Sequence, residues 1–156
     1  MNGLRKKRTA HAVCLLLMTS GVTHAEPETG GVWAGRYTCR QGETGMGLSI
    51  ADPPARSLFW FHPLTANPDV PEGCFEMDSA HDRATGRIVL TAGRWIVRPY
   101  GYVTVDLDGA VSADGAAIAG KVLGPWCTEF QVRRVPPEQA SIPGICRPKP
   151  PTVSSR

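Results

Sequence analysis

A chain of 156 residues, 42% apolar and 20% charged, has the size and composition of one globular domain and is too polar for a membrane bundle. Its formal charge of +3 is unevenly placed: four of the 17 Lys and Arg fall within residues 5–8, whereas all 14 Asp and Glu lie beyond residue 25. Without residues 1–25, 13 cations face 14 carboxylates, a net charge of −1, which excludes the clustered cationic field that holds a nucleic acid by counterion release.

The basic run Arg5-Lys6-Lys7-Arg8, the apolar stretch from Val13 to Met18 and the small residues of Thr23-His24-Ala25 have the layout of an export signal cleaved after Ala25. That stretch is much shorter than the roughly 20 residues of a membrane span, so a soluble, monomeric protein of the periplasm or the secreted fraction is expected. Cys14 stands at the start of the apolar stretch behind His11-Ala12-Val13 and does not form a lipoprotein signal. Cleavage removes it and leaves Cys39, Cys74, Cys127 and Cys146. An even number of cysteines in a small exported domain is a disulfide framework.

Residues 32–135 alternate with period two and carry turn residues every eight to twelve positions or so, which predicts an all-β domain over residues 26–135, an antiparallel barrel or sandwich of about eight strands. Trp33, Gly35, Tyr37 and Cys39 share one face of the first strand, and residues 41–45 turn the chain into a second strand with Leu48 and Ile50. Asp52-Pro53-Pro54 ends it, because consecutive prolines cannot donate to a ladder. Residues 57–62, Ser-Leu-Phe-Trp-Phe-His, are apolar on both faces and read as a doubly covered central strand. Residues 63–73 hold three prolines and form the longest loop. Phe75 and Met77 then share a face, a hairpin at residues 82–86 leads to Ile88 and Leu90, and Trp95-Ile96-Val97 stops at Arg98-Pro99. Residues 102–107 alternate as a further strand. Ser112-Ala113-Asp114-Gly115 is a turn, and the last strands are residues 117–123 and 126–134.

Residues 136–156 contain six prolines and few large apolar groups, so an extended, locally disordered tail is expected, fastened to the body through Cys146. Four cysteines allow three connectivities, and spacing does not choose among them. The pairing favoured here is Cys39 with Cys127, joining the first and last strands, and Cys74 with Cys146, holding the tail. No helix is expected outside the leader.

The segments Trp33 to Gly42, Pro71 to Met77, Asp82 to Gly86, Gly101 to Leu107 and Gly124 to Phe130 resemble a family of small exported bacterial β-domains of W-x-G-x-Y-x-C-x-Q-G type. The resemblance spans most of residues 32–134 and implies a fold and domain limits, with no activity and no catalytic residues. The stretch Tyr37 to Gly42, of Y-x-C-x-x-G form, is also similar to the start of the periplasmic inhibitors of c-type lysozyme, small β-barrels that close this stretch with a late cysteine. The Ser-Gly pair of their inhibitory loop is absent after residue 25.

Catalytic and metal chemistry find few residues to use. A nucleophile needs an adjacent base, yet only His62 and His81 follow the leader, and no G-x-S-x-G elbow is present. His62, beside Pro63, suits a capping or packing role; His81 reads as a solvated turn residue. There is no C-x-x-C or H-E-x-x-H, and Glu76, Asp78 and Asp82 lack the loop spacing that collects oxygens around calcium. Asp106 and Asp108 project to one side of a strand as paired carboxylates would, but an exposed i, i+2 pair is better explained as solvated charge. No cofactor, metal or catalytic residue is expected.

Aromatic residues are the stronger signal, since Trp and Tyr build binding surfaces at low entropic cost. Trp95, Tyr100 and Tyr102, flanking the Arg98-Pro99 break, with Arg94 and Arg98 beside them, form the expected contact patch. The predicted function is a non-catalytic interaction module for an envelope protein or polymer. The alternatives are an inhibitor of a hydrolase such as lysozyme and a barrel that holds a small apolar ligand.

Overall fold

Period-two alternation leaves each strand with one apolar face, and such faces must be buried against one another. The computed structural model, which describes residues 28–147, buries them by closing the sheet. The expected export signal and the last residues of the tail lie outside the described residues. The strands are β1 (Gly31–Cys39), β2 (Gly42–Ile50), β3 (Ser57–His62), β4 (Gly73–Asp82), β5 (Arg87–Val97), β6 (Asp106–Val111), β7 (Ala117–Leu123) and β8 (Glu129–Arg134). Each pairs antiparallel with the next, and β8 returns to β1 in a register running from Trp33↔Arg134 to Tyr37↔Phe130. Of the two architectures expected from the pattern, the chain adopts the barrel, which leaves no unpaired edge. Among the described residues no helix is long and apolar enough to cross a membrane.

The inward faces meet in a single core. Trp33, Met46, Phe59, Phe75, Met77 and Leu107 are each almost fully buried within it. A second, smaller cluster lies outside the barrel wall and accounts for the doubly apolar β3. Phe59 and Phe61 point inward, whereas Leu58 and Trp60 point outward and are covered by the tail through Ile142 and Cys146. The Cys74–Cys146 disulfide fastens this cover, and the Cys39–Cys127 disulfide joins the end of β1 to the loop before β8. These are the expected pairs. Glycines in β2 make room for the outer rings: a Cβ on Gly47 would stand 2.1 Å from the Trp60 ring, and one on Gly45 2.2 Å from that of His62. No larger residue fits there without moving an aromatic ring.

Five local expectations change, one being the last strand, which starts at Glu129 and not at residue 126 because Trp126, with φ 59°, belongs to the loop before it. The first turn is shorter than residues 41–45: Arg40-Gln41 suffices, and β2 starts at Gly42. The segments around Ile88 and Trp95 form one strand, because β5 carries bulges opposite Phe75 that shift its alternation, so that Ile88, Leu90 and Trp95 all pack on the core. The strand expected from residue 102 starts only at Asp106. Before it, Tyr102 donates its N–H to the Pro99 carbonyl and Arg98 Nε donates to the Tyr102 carbonyl, which commits the segment to a loop. The tail, expected to be extended and locally disordered, makes two single 3-10 turns, Pro137–Gln139 and Gly144–Cys146, within its described part.

Candidate functional site

Up-and-down winding gives the barrel two ends. One holds residues 28–30 and the β2–β3, β4–β5 and β6–β7 connections; the other holds the Arg40-Gln41 turn and the loops at residues 63–72, 98–105 and 124–128. At the first end Trp33 fills the centre, beside a groove of about 410 Å³ lined by Thr29, Ile50, His81 and Ile88. Trp33 is fully buried there and donates Nε1–H to the Thr29 carbonyl at 3.0 Å. The Arg134 guanidinium lies 4.2 Å from the Trp33 ring centroid and donates to the carbonyls of Glu28 and Gly30, tying the entering chain to the last strand.

The second end is open. A cavity of about 470 Å³ descends into it, within the range of small-molecule sites. Tyr37, Phe59, Phe61 and Phe75 form its floor, supplied by the inward alternation of β1, β3 and β4; Tyr102, Val103, Val105, Pro125 and Trp126 form its rim. The rings make a continuous series: Tyr37 meets Phe59 edge-on at 5.6 Å, Phe59 stacks on Phe75 at 4.8 Å, and Tyr102 stacks on Phe61 at 5.2 Å. Trp95 packs edge-on against both Phe75 and Phe61 from the side. Four of the five large apolar side chains left exposed among the described residues, Tyr100, Val103, Leu123 and Trp126, belong to loops or strand ends here.

The rim is organised by the Cys39–Cys127 disulfide. Arg40 follows one cysteine and Trp126 precedes the other, so the bridge holds the two side by side, with the Arg40 guanidinium 5.0 Å from the Trp126 ring centroid. Trp126 is 70% exposed and has a φ of 59°, in the left-handed region that a bulky residue seldom adopts. The Cys127 N–H bonded to the Gly124 carbonyl, and the Thr128 N–H bonded to that of Thr38, hold this loop against β1.

Electrostatically the mouth is simple. Burial, with a smaller contribution from Tyr102, pushes the Tyr37 phenol well above its ordinary value, and burial likewise raises Tyr102. Both remain neutral near pH 7, Tyr37 accepting a hydrogen bond from Gln41 Nε2. Arg40 is the one charged residue in the lining.

The five residues of the expected contact patch separate. Tyr102 lines the cavity and Trp95 supports its wall, Arg98 secures the loop carrying Tyr102, and Tyr100 projects fully into solvent from that loop. Arg94 lies on the outer wall, paired with Glu76 at 2.9 Å. Arg40 and Trp126 were missed by the patch, although the C-R and W-C neighbours of two bridging cysteines are a signal the sequence carries.

The other polar groups are committed elsewhere. His62 Nδ1 lies 2.9 Å from the Pro63 carbonyl. His81, expected to be solvated, instead meets Thr29 Oγ1 through Nδ1 while its Nε2 is buried with no partner, because β4 extends through residue 82. Glu76 pairs with Arg94, Asp78 with Arg56, and Asp82 accepts from the Ala84 N–H and Thr85 hydroxyl of its own turn. Asp106 accepts the Ala92 N–H at 2.7 Å, and Asp108 forms a bidentate pair with Arg87. Among the described residues no three His, Cys, Asp or Glu converge to hold a metal. Comparison of the chain with family models, curated proteins and solved structures finds no match.

Proposed function

We propose that this protein is an exported, non-catalytic binding module whose ligand enters the open end of the barrel. The observation that carries the proposal is the aromatic cavity of about 470 Å³, bordered by exposed apolar side chains that a monomer would otherwise leave in water. Its lining contains no His, Ser or carboxylate, both of its cysteines are bridged and its two tyrosines are held neutral, so it offers rings, an amide and one cation for contact. Delivery to an oxidising compartment accords with the two disulfides and with the layout of residues 1–25. The neutral probe N-phenyl-1-naphthylamine tests the site. Its fluorescence should rise with the oxidised protein and fall back in Val103→Trp, which fills the rim, and in Tyr102→Ala, which removes a wall. No enhancement with the unmodified protein would reject a ligand site in the mouth.

Inhibition of a hydrolase such as lysozyme is the alternative function. It is favoured by the Tyr37-to-Gly42 stretch standing on the rim, bridged to a late cysteine. A lysozyme assay with micromolar protein separates the two: unimpaired lysis excludes inhibition.

A further inference from the structure

Arg40 differs from the four paired arginines of the outer wall. Arg36, Arg56, Arg87 and Arg94 each pair with a carboxylate, whereas Arg40 has no such partner among the described residues. Its guanidinium lies over an indole, a contact that uses the face of the cation and leaves its fork of N–H donors unspent. The arrangement is built: the disulfide fixes both neighbours, and Trp126 is held in a backbone conformation that persists only where the surroundings enforce it.

We propose that the open end selects a compact aromatic carboxylate, with the ring against Phe61, Tyr102 and Trp126 and the carboxylate on the Arg40 fork. This rests on the mouth being a ligand site and adds the class of ligand. A single or fused ring with one carboxylate fits within about 470 Å³, and the face-to-face stack of Tyr102 on Phe61 offers flat surfaces to a further ring. The lining has no carboxylate to repel an anion. A carboxylate gains two charge-assisted hydrogen bonds from an arginine fork, which a carboxamide of the same shape does not.

Calorimetric titration of the oxidised full chain with 2-naphthoate and with 2-naphthamide, matched in size and different in charge, provides the test. At low salt the naphthoate should bind about tenfold tighter or more. Arg40→Gln lies in an exposed turn and should fold normally by circular dichroism; it should bring the two affinities together, weakening the naphthoate far more than the amide. Val103→Trp should weaken both. Equal binding of the two probes by the unmodified protein would overturn the selection for an anion and leave the mouth standing as a ligand site. A naphthoate preference that survives Arg40→Gln would place the anion elsewhere and overturn the role of Arg40. Failure of both probes to bind, together with no response to N-phenyl-1-naphthylamine, would remove the site itself.

Discussion

The two ends of this barrel are made from the same eight strands and finished in opposite ways. At the first end an arginine lies over a tryptophan inside the molecule, with its donors taken up by carbonyls of the entering chain. At the open end an arginine lies over a tryptophan at the surface, with its donors unclaimed. The same pair of residue types serves stability in one place and is available for recognition in the other. What separates them is the supply of acceptors: the half-buried Arg134 guanidinium is met by carbonyls of the entering chain, whereas at the rim water or a ligand can satisfy Arg40.

The strongest test of this contrast is removal of each tryptophan. Trp33→Ala should lower the free energy of unfolding by about 3–5 kcal/mol in denaturant titration, as expected for emptying a buried site. Trp126→Ala, at 70% exposure, should stay within about 0.5 kcal/mol of the parent. A Trp126→Ala loss as large as that of Trp33→Ala would mean that the open end is part of the core.

Next in size is the bridge at the rim. Cys39 and Cys127 lie 88 residues apart, and replacing both with Ala should cost up to about 4.5 kcal/mol in the chain-entropy model and weaken probe binding as well. Cys146→Ala, on the outer wall beside the open end, releases the tail and uncovers Trp60. Roughly 1–3 kcal/mol should be lost while the barrel stays folded and probe binding is retained, because the freed tail recovers the entropy it gave up. Unfolding of the barrel in Cys146→Ala would show that the tail is integral to it.

A comparable effect is expected at Gly47, where Ala would push against the Trp60 ring and cost about 1–3 kcal/mol without touching either end. The smallest effect appears at high pH. The unfolded chain ionises Tyr37 near the ordinary value of about 10, and burial holds the folded value above that. The stability it contributes is therefore complete below pH 10 and declines as the pH climbs toward the folded value. Tyr37→Phe should flatten that decline by up to about 1.4 kcal/mol per pH unit above 10, measured by denaturant midpoints.

How much of this could be read in advance varies along the chain. β3 was legible to its boundaries, because an apolar run ending before a proline has few other fates. Its double covering was legible too, although the outer cover proved to be the tail. β5 was read as two pieces, since bulges opposite Phe75 break the period on which the reading depends. Val103 alternates with Val105 and Leu107 like a strand residue, yet hydrogen bonds around Pro99 and Tyr102 hold the segment in a loop. Tyr102 and Trp95 were identified as contact residues from their type and reach the open end. Arg94 shares their segment but lies outside, because the strand alternates.

By itself the sequence determined the class of the molecule: period-two patterning demands a sheet with one buried face, and four cysteines after a leader-like segment demand bridges. Only the tertiary structure decided that the sheet closes, that Trp33 fills one end while the other is open, and that Arg40 and Trp126 meet. The reason is physical. Alternation and composition are local properties of the chain, whereas a cavity and a cation resting on a ring arise between residues 86 positions apart, brought together by strand closure and a disulfide.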